Sequence, residues 1–204
     1  MPLLVRIKGF KMPNDLASFL PTTIQNTQFP VEAIHIQPHH LPYLAPLTSD
    51  DTEPLKWFHT EIEKLEDLLH LSDHMVYTIL IKGQVAGFFY FKTWKGLKPN
   101  ELEMAYCVLD SFRRKGVLEV ALLTILGILF GVRIPNGRLE RVSAFVEENN
   151  ETSKQAHTKL GFKRLRDVED DDNPKIIYQH YQIERTSWHQ MAKKLETNAK
   201  RKFQ

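Results

Sequence analysis

The sequence predicts one mixed α/β domain with extensions at its ends. Its 204 residues, 42% of them hydrophobic, are enough to bury a sizeable core, and common domain sizes favour one unit over two. Runs rich in β-branched and aromatic residues alternate with helical patterns from residue 76 onward. An almost wholly apolar run at residues 117–130 is typical of a helix that lies buried against a sheet.

The N-terminal segment carries the weakest patterns. Prolines at positions 2, 13 and 21 interrupt it, and residues 3–8 form a short candidate strand, so residues 1–30 are interpreted as an N-terminal extension. The main domain is predicted at residues 31–188, and a charged helical tail at residues 189–204.

A strand and a helix open the main domain. Residues 33–37 alternate weakly and predict the first strand, which a loop with several prolines follows. Asp50, Asp51 or Thr52 can cap the next helix, and Pro54 suits its first turn. The apolar residues of this helix recur at every third or fourth position: Leu55, Phe58, Ile62, Leu65 and Leu69.

A hairpin gives the clearest local pattern. Residues 76–81 and 85–92 are rich in β-branched and aromatic residues, and Lys82-Gly83-Gln84 between them is typical of a tight turn. Residues 101–108 predict a third strand. The apolar helix follows, and the remaining predicted elements are a strand at 141–146, a helix at 152–160 ended by Gly161, strands at 162–165 and 176–183, and a helical tail at 186–203.

Composition argues against several classes of partner and compartment. The net charge of +2 provides no global field that would draw the protein to nucleic acid or to a membrane. The longest apolar run contains Glu119 and is too short to cross a bilayer. A single cysteine, Cys107, excludes an internal disulfide, and charge interrupts the N-terminus before it resembles a signal peptide, so a cytoplasmic location is expected. Scattered histidines without a cluster of cysteines or carboxylates predict no metal site.

Two local patterns carry chemistry. The turn Arg113-Arg114-Lys115-Gly116 joins a predicted strand to a predicted helix, so free N–H groups at the helix start, a glycine and three cations come together as a pyrophosphate requires. Strand alternation also places Glu101 and Glu103 on one face of residues 101–108. Carboxylates on a central strand are either solvated or functional.

These motifs together resemble those of the GNAT N-acetyltransferases, and in particular the branch that acetylates the N-termini of ribosomal proteins. The resemblance covers about residues 34–188 and rests on five segments: residues 103–108, the turn at 113–118, Asn150-Glu151-Thr152-Ser153 running to Lys159-Leu160-Gly161-Phe162, the hairpin at 82–87, and residues 181–188. It implies a central, mostly antiparallel sheet that is splayed at the cofactor site and flanked by helices.

The resemblance further implies an acetyl-CoA site and a direct transfer to an amine. In the family, N–H groups of the turn hold the pyrophosphate, and the asparagine and serine contact the pantetheine and phosphate end. The implied cofactor residues are Val108, Arg113, Arg114, Lys115, Gly116, Val117, Leu118, Asn150 and Ser153.

Two catalytic residues are predicted on the same basis. A glutamate at the position of Glu103 can act as a base through water, with Glu101 as the reserve candidate and a solvated strand face as the alternative. Many relatives place a tyrosine four residues before the glycine, where this chain has His157; a histidine can donate a proton at neutral pH, although a surface histidine without such a role is the alternative. Covalent catalysis by Cys107 is a weaker alternative.

The acceptor is expected to be a peptide N-terminus or a small cationic amine. Deprotonating an α-amino group at pH 7 costs about 1.4 kcal/mol, against about 4.6 kcal/mol for a lysine. The acidic run at residues 169–172 can attract a cation, or is only a solvated turn. A non-catalytic acyl-CoA-binding or protein-interaction module is the alternative function, because Leu118 stands where the family has glycine or alanine and because the tyrosine is missing. The sequence leaves open whether two copies of the chain form a homodimer.

Overall fold

The computed structural model describes residues 21–48, 64–70, 74–93, 97–98, 100–131, 133–134, 137–170 and 173–203. The candidate strand at residues 3–8 and most of the helix predicted to start near residue 50 lie outside these ranges. The end of that predicted helix, Leu65–Leu69, is a 3-10 helix.

The described strands are, in chain order, β1 (Thr23–Gln25), β2 (Val31–His35), β3 (His74–Ile81), β4 (Gln84–Lys92), β5 (Glu101–Val108), β6 (Arg133–Ile134), β7 (Gly137–Arg138), β8 (Arg141–Glu147), β9 (Lys163–Glu169) and β10 (Ile177–Glu184). The described helices are α1 (Leu41–Leu44), α2 (Val117–Leu129), α3 (Glu151–Lys159) and α4 (Arg185–Phe203). The hairpin, the third strand and the three long helices lie where the sequence predicts them, whereas β9 continues past the predicted residue 165 to Glu169.

Eight strands form one sheet in the order β1-β2-β3-β4-β5-β8-β10-β9. Its described neighbours pair antiparallel except β5 and β8, which are parallel, so the predicted mostly antiparallel sheet is confirmed. The β5–β8 ladder pairs only residues 101–103 with residues 141–143. Beyond it the two strands continue without pairing, and this divergence is the predicted splay.

Local sequence explains the elements on either side of that divergence. The two-residue turn between β3 and β4 places Lys82 and Gly83 at φ of 50° and 76°, the mirror-image turn that matches the twist of a hairpin. Strand alternation on β5 holds as predicted: Leu102 and Met104 lie in the core beneath α2, and Cys107 lies in a second cluster on the opposite face.

Helix α2 is buried on nearly all sides because the sheet covers one flank and α4 covers the other. Leu122, Ile125 and Leu126 have no exposed surface. Helix α4 runs antiparallel to α2: the ring of Trp188 near its start lies 6.2 Å from that of Phe130, and Lys202 near its end reaches the first turn of α2. At the other end of the chain, β1 hydrogen-bonds to β2 as the edge strand of the sheet.

Candidate active site

Aromatic side chains from three elements meet where β5 and β8 diverge. Tyr106 of β5 lies 5.4 Å from the ring of His157 on α3, and His157 lies 5.6 Å from the ring of Tyr181 on β10. Helix α3 follows β8 directly, and the contact of His157 with Tyr106 places this helix next to β5 where the two strands are no longer paired. The region between the unpaired parts of β5 and β8, next to α3, is called the cleft below.

The turn that leads into α2 forms one end of this cleft. Arg113 donates from Nε to the carbonyl oxygen of Val108 at 3.0 Å and pairs with Asp110 at 2.6 Å, so its charge is largely compensated. Arg114 and Lys115 are exposed, and Arg114 adopts a left-handed φ of 61°. Gly116, at φ of 80°, occupies the N-cap position, where the missing Cβ permits this conformation.

The start of α2 fits an anionic ligand. The first N–H groups of a helix have no partner within the helix, and those of Val117 and Leu118 stand beside the cations Arg114 and Lys115. A cavity of about 640 Å³ opens there and is lined by Arg114, Lys115 and Val117 among others. Leu118 is half-buried and packs against the apolar core. Donors, cations and space are therefore present together for an anionic ligand.

Asn150 and Ser153 organise the start of α3. The side-chain oxygen of Asn150 accepts the Ser153 N–H at 3.0 Å, which is a regular N-cap. The Ser153 hydroxyl lies 3.3 Å from Nδ1 of His157. Both residues thus border the cleft, and the cap explains why an asparagine is suited to this position even without a ligand.

His157 is buried, contrary to the alternative of a surface histidine. Its Nδ1 lies 2.8 Å from the carbonyl oxygen of Ser153, which can only accept, so Nδ1 carries the proton. Its Nε2 is buried and has no hydrogen-bond partner among the residues that the structure describes. Burial lowers the pKa of His157 to about 4, so the ring is neutral at pH 7 and has no proton at Nε2 to donate. A role for His157 as the acid stays a prediction that this geometry disfavours.

The opposite face of the sheet carries the two predicted carboxylates, and the structure separates their environments. Glu103 is half-buried and pairs with Lys92 of β4 at 3.5 Å. Glu101 is 4% exposed and lies where β5 and β8 still pair. Glu103 occupies the last paired position before the strands diverge, and Glu101 lies two residues earlier, in the paired part of the ladder.

Glu101 belongs to a buried hydrogen-bond network that the sequence reasoning missed. Its Oε1 accepts a hydrogen bond from the Ser143 hydroxyl and a second one, 2.9 Å long, from Nε2 of Gln182. Nε2 of His180 lies 2.8 Å from the same hydroxyl oxygen. Burial lowers the pKa of His180, although the nearby Glu101 opposes that shift. The sequence of β10 carries no alternation that would have shown this network, because all of residues 178–182 are polar or carry a polar tip.

Cys107 and the acidic run at residues 169–172 are the weaker candidates for a function. Burial raises the pKa of Cys107 to about 12, so its thiol stays protonated and is a poor nucleophile. Asp171 and Asp172 of the acidic run lie outside the described residues, and Asp170 accepts the Asn173 N–H at 2.8 Å.

Among the described residues, no group of three or more histidines, cysteines or carboxylates is arranged to hold a metal ion. Within the same ranges, no helix combines the length and apolar character needed to span a membrane.

Solved structures share this fold at low sequence identity. RimJ from Mycobacterium smegmatis, in complex with a CoA-disulfide, is 15% identical with a TM-score of 0.66, and the match covers 89% of this chain and 96% of that chain. A GCN5-related N-acetyltransferase from Brucella melitensis is 14% identical with a TM-score of 0.68, covering 88% and 86%. An acetyl transferase from Salmonella typhimurium that modifies the N-terminal serine of ribosomal protein L7/L12 is 14% identical with a TM-score of 0.63, covering 79% and 98%.

Sequence comparison gives the family directly. No curated protein sequence matches the chain. The sequence profile described as "Acetyltransferase (GNAT) domain" matches residues 29–163. Because this match spans well over half of the chain, the protein belongs to the GNAT family of N-acetyltransferases, whose cofactor is acetyl-CoA, as the motifs of the turn and of α3 predicted.

Proposed function

We propose that this acetyltransferase transfers the acetyl group of acetyl-CoA directly to a primary amine, with a peptide N-terminus as the preferred acceptor and a small cationic amine as the second choice. The observation that carries the proposal is the arrangement around the divergence of β5 and β8. Arg114 and Lys115, in the turn at the start of α2, have no carboxylate partner among the described residues, and the half-buried carboxylate of Glu103 stands at the last paired position of β5, where the strands diverge.

The residues around the turn are proposed to hold the cofactor. N–H groups from Arg113 to Leu118, with the charges of Arg114 and Lys115, bind the diphosphate. Val108, Asn150 and Ser153 lie along the cleft and position the remainder. Bound acetyl-CoA supplies the acetyl group as a thioester.

Glu103 is proposed to take the proton of the acceptor amine through a water molecule. An ammonium group has no lone pair with which to attack a thioester, so the amine must lose a proton first. The ion pair with Lys92 holds the Glu103 carboxylate in place on the sheet face. The described residues of the cleft provide no acid paired with the base Glu103. An α-amine, which has a lower pKa than a lysine, is therefore favoured as the acceptor.

Cofactor binding is tested by thermal unfolding. Acetyl-CoA at one hundred times its Kd adds about 2.7 kcal/mol to folding, which for a chain of this size raises Tm by about 5 to 10 °C. A double variant, Arg114→Gln with Lys115→Gln, should need a higher acetyl-CoA concentration for the same shift. Lys163→Gln, an exposed position on β9, is the matched control and should behave like the native protein. Unchanged melting at millimolar acetyl-CoA would contradict the proposal.

The acceptor is tested with a pair of peptides of one sequence. One has a free N-terminus and its lysine blocked, and the other has a blocked N-terminus and a free lysine. We expect faster release of CoA with the first, because its amine costs about 3 kcal/mol less to deprotonate at pH 7. Faster acetylation of the second peptide would show that the α-amine assignment is wrong.

The alternative function, a non-catalytic module that binds acyl-CoA or another protein, rests on Leu118 and on the neutral, buried His157. CoA binding without acetylation of any amine in a broad panel would favour it. The domain limits at residues 31 and 188, the cytoplasmic location and a homodimer stay predictions.

A further inference from the structure

The cavity at the start of α2 is lined by four cationic side chains. Lys82, Arg114, Lys115 and Lys202 border its volume of about 640 Å³, and none of the described residues that line it is acidic. Phe112 supplies a half-buried aromatic ring to the same wall. These groups come from the β3–β4 turn, from the turn before α2 and from the end of α4, so the cavity exists only because three distant segments meet.

A buried carboxylate fixes the lysine contributed by α4. Nζ of Lys202 lies 2.7 Å from Oε1 of Glu119, and Nζ of Lys159 lies 3.0 Å from the same oxygen. Burial alone would raise the pKa of Glu119, but hydrogen bonds from the two lysines outweigh it and hold that pKa below its ordinary value. Glu119 is therefore ionised, and it anchors the last turn of α4 at the first turn of α2.

The local charge is far from balanced. Glu119 offsets one of its two lysines, and within the described residues no carboxylate pairs with Lys82, Arg114 or Lys115. Several positive charges therefore remain around a single cavity, where they repel one another and favour a bound anion. A diphosphate at the turn offsets only part of this charge, and a phosphate monoester carries a further −1.5 to −2, roughly, at neutral pH.

We propose that this cavity receives the nucleotide end of CoA and that Lys202, together with Lys82, binds its 3′-phosphate. The inference rests on the proposed acetyl-CoA site and adds a specificity determinant to it from the C-terminal helix. The ring of Phe112 provides an apolar surface for the adenine. The end of the tail, which the sequence predicts only as a charged helix, thereby becomes part of the cofactor site.

The chain provides a matched control on the same helical turn. Lys200 pairs with Glu196 at 2.7 Å and does not line the cavity. Lys200→Gln and Lys202→Gln therefore make the same chemical change two residues apart, and only the second removes a cation from the cavity. Lys202→Arg keeps the positive charge, so this variant should bind the 3′-phosphate as the native protein does.

The test is the ratio of the Kd for 3′-dephospho-CoA to the Kd for CoA, measured by calorimetry on the full chain. We expect the native protein to prefer CoA by at least about tenfold, since one charge-assisted contact to phosphate is lost with the dephosphorylated ligand. Lys202→Gln should reduce the preference to about threefold or less. Lys200→Gln and Lys202→Arg should keep the native ratio. Inorganic phosphate should compete weakly with CoA and not with its dephosphorylated form at this subsite.

Each outcome separates the inference from the cofactor proposal. Equal Kd values for the two ligands in the native protein would overturn the inference and leave the acetyl-CoA site intact. An equal weakening of both ligands by Lys202→Gln would show that the lysine acts only through the fold, which also overturns it. If Lys202→Gln lowers the yield of folded protein, Lys82→Gln makes the same test from the other side of the cavity. Failure of the native protein to bind either ligand would refute the proposed function itself.

Discussion

Replacing Glu103 by glutamine should lower kcat about a hundredfold at pH 7 while leaving the Kd for acetyl-CoA unchanged. Glutamine keeps the shape and removes the basic oxygen, so it isolates proton transfer from packing. The loss should shrink as the pH is raised, because a growing fraction of the acceptor amine is then already neutral. A pH profile of kcat for native and variant protein measures both effects.

Glu101→Gln is the control, since Glu101 lies on the same face but deeper in the sheet. Its carboxylate is held by Ser143 and Gln182, so we expect lower stability and a smaller change in kcat per folded molecule. Equal, pH-independent losses of kcat from both substitutions would show that neither carboxylate is the base.

Gly87→Ala should destabilise the protein by about 3 kcal/mol or more, enough to lower Tm by about 6 to 12 °C. A Cβ on Gly87 would lie 2.1 Å from the carbonyl oxygen of Cys107 and 2.9 Å from Cα of Val108. Both obstacles are backbone atoms of β5, so the clash is relieved only by moving the strand that carries the cleft. Denaturant unfolding of the variant measures the loss.

Gly83→Ala separates this close approach from the general effect of losing a glycine. Gly83 has φ of +76°, and an added Cβ would meet no atom within 4 Å. Backbone strain alone then costs about 1 to 2 kcal/mol. A loss of stability at Gly87 no larger than that at Gly83 would refute the role of the close contact.

Patterns within single elements predicted much of this fold. The period-2 alternation of β5 separated Leu102 and Met104 from Cys107 correctly, and the apolar residues of α2 predicted a helix with little exposed surface. The basic turn was predicted because its cations and glycine are adjacent in sequence. In each case the relevant neighbours lie within a few residues.

Contacts between distant segments could not be predicted in this way. Glu101 meets Gln182 across 81 positions, and Glu119 meets Lys202 across 83. Alternation shows which face a residue occupies but not the register of the next strand, so it could not distinguish buried Glu101 from half-buried Glu103. Similarly, the polar composition of α3 gives no sign that Tyr106 and Tyr181 cover His157.

The short parallel ladder between β5 and β8 also bears on how the chain folds. Strands β3, β4 and β5 follow one another and pair as neighbours, and β9 and β10 do the same. Joining β5 to β8 instead requires closing a long segment that contains α2, for only three residue pairs. Closing such a long loop costs conformational entropy, and the non-local contacts that offset this cost form only after the loop has closed. We therefore expect a refolding chain to regain its hairpins before this junction closes, so that affinity for the cofactor is the last native property to return.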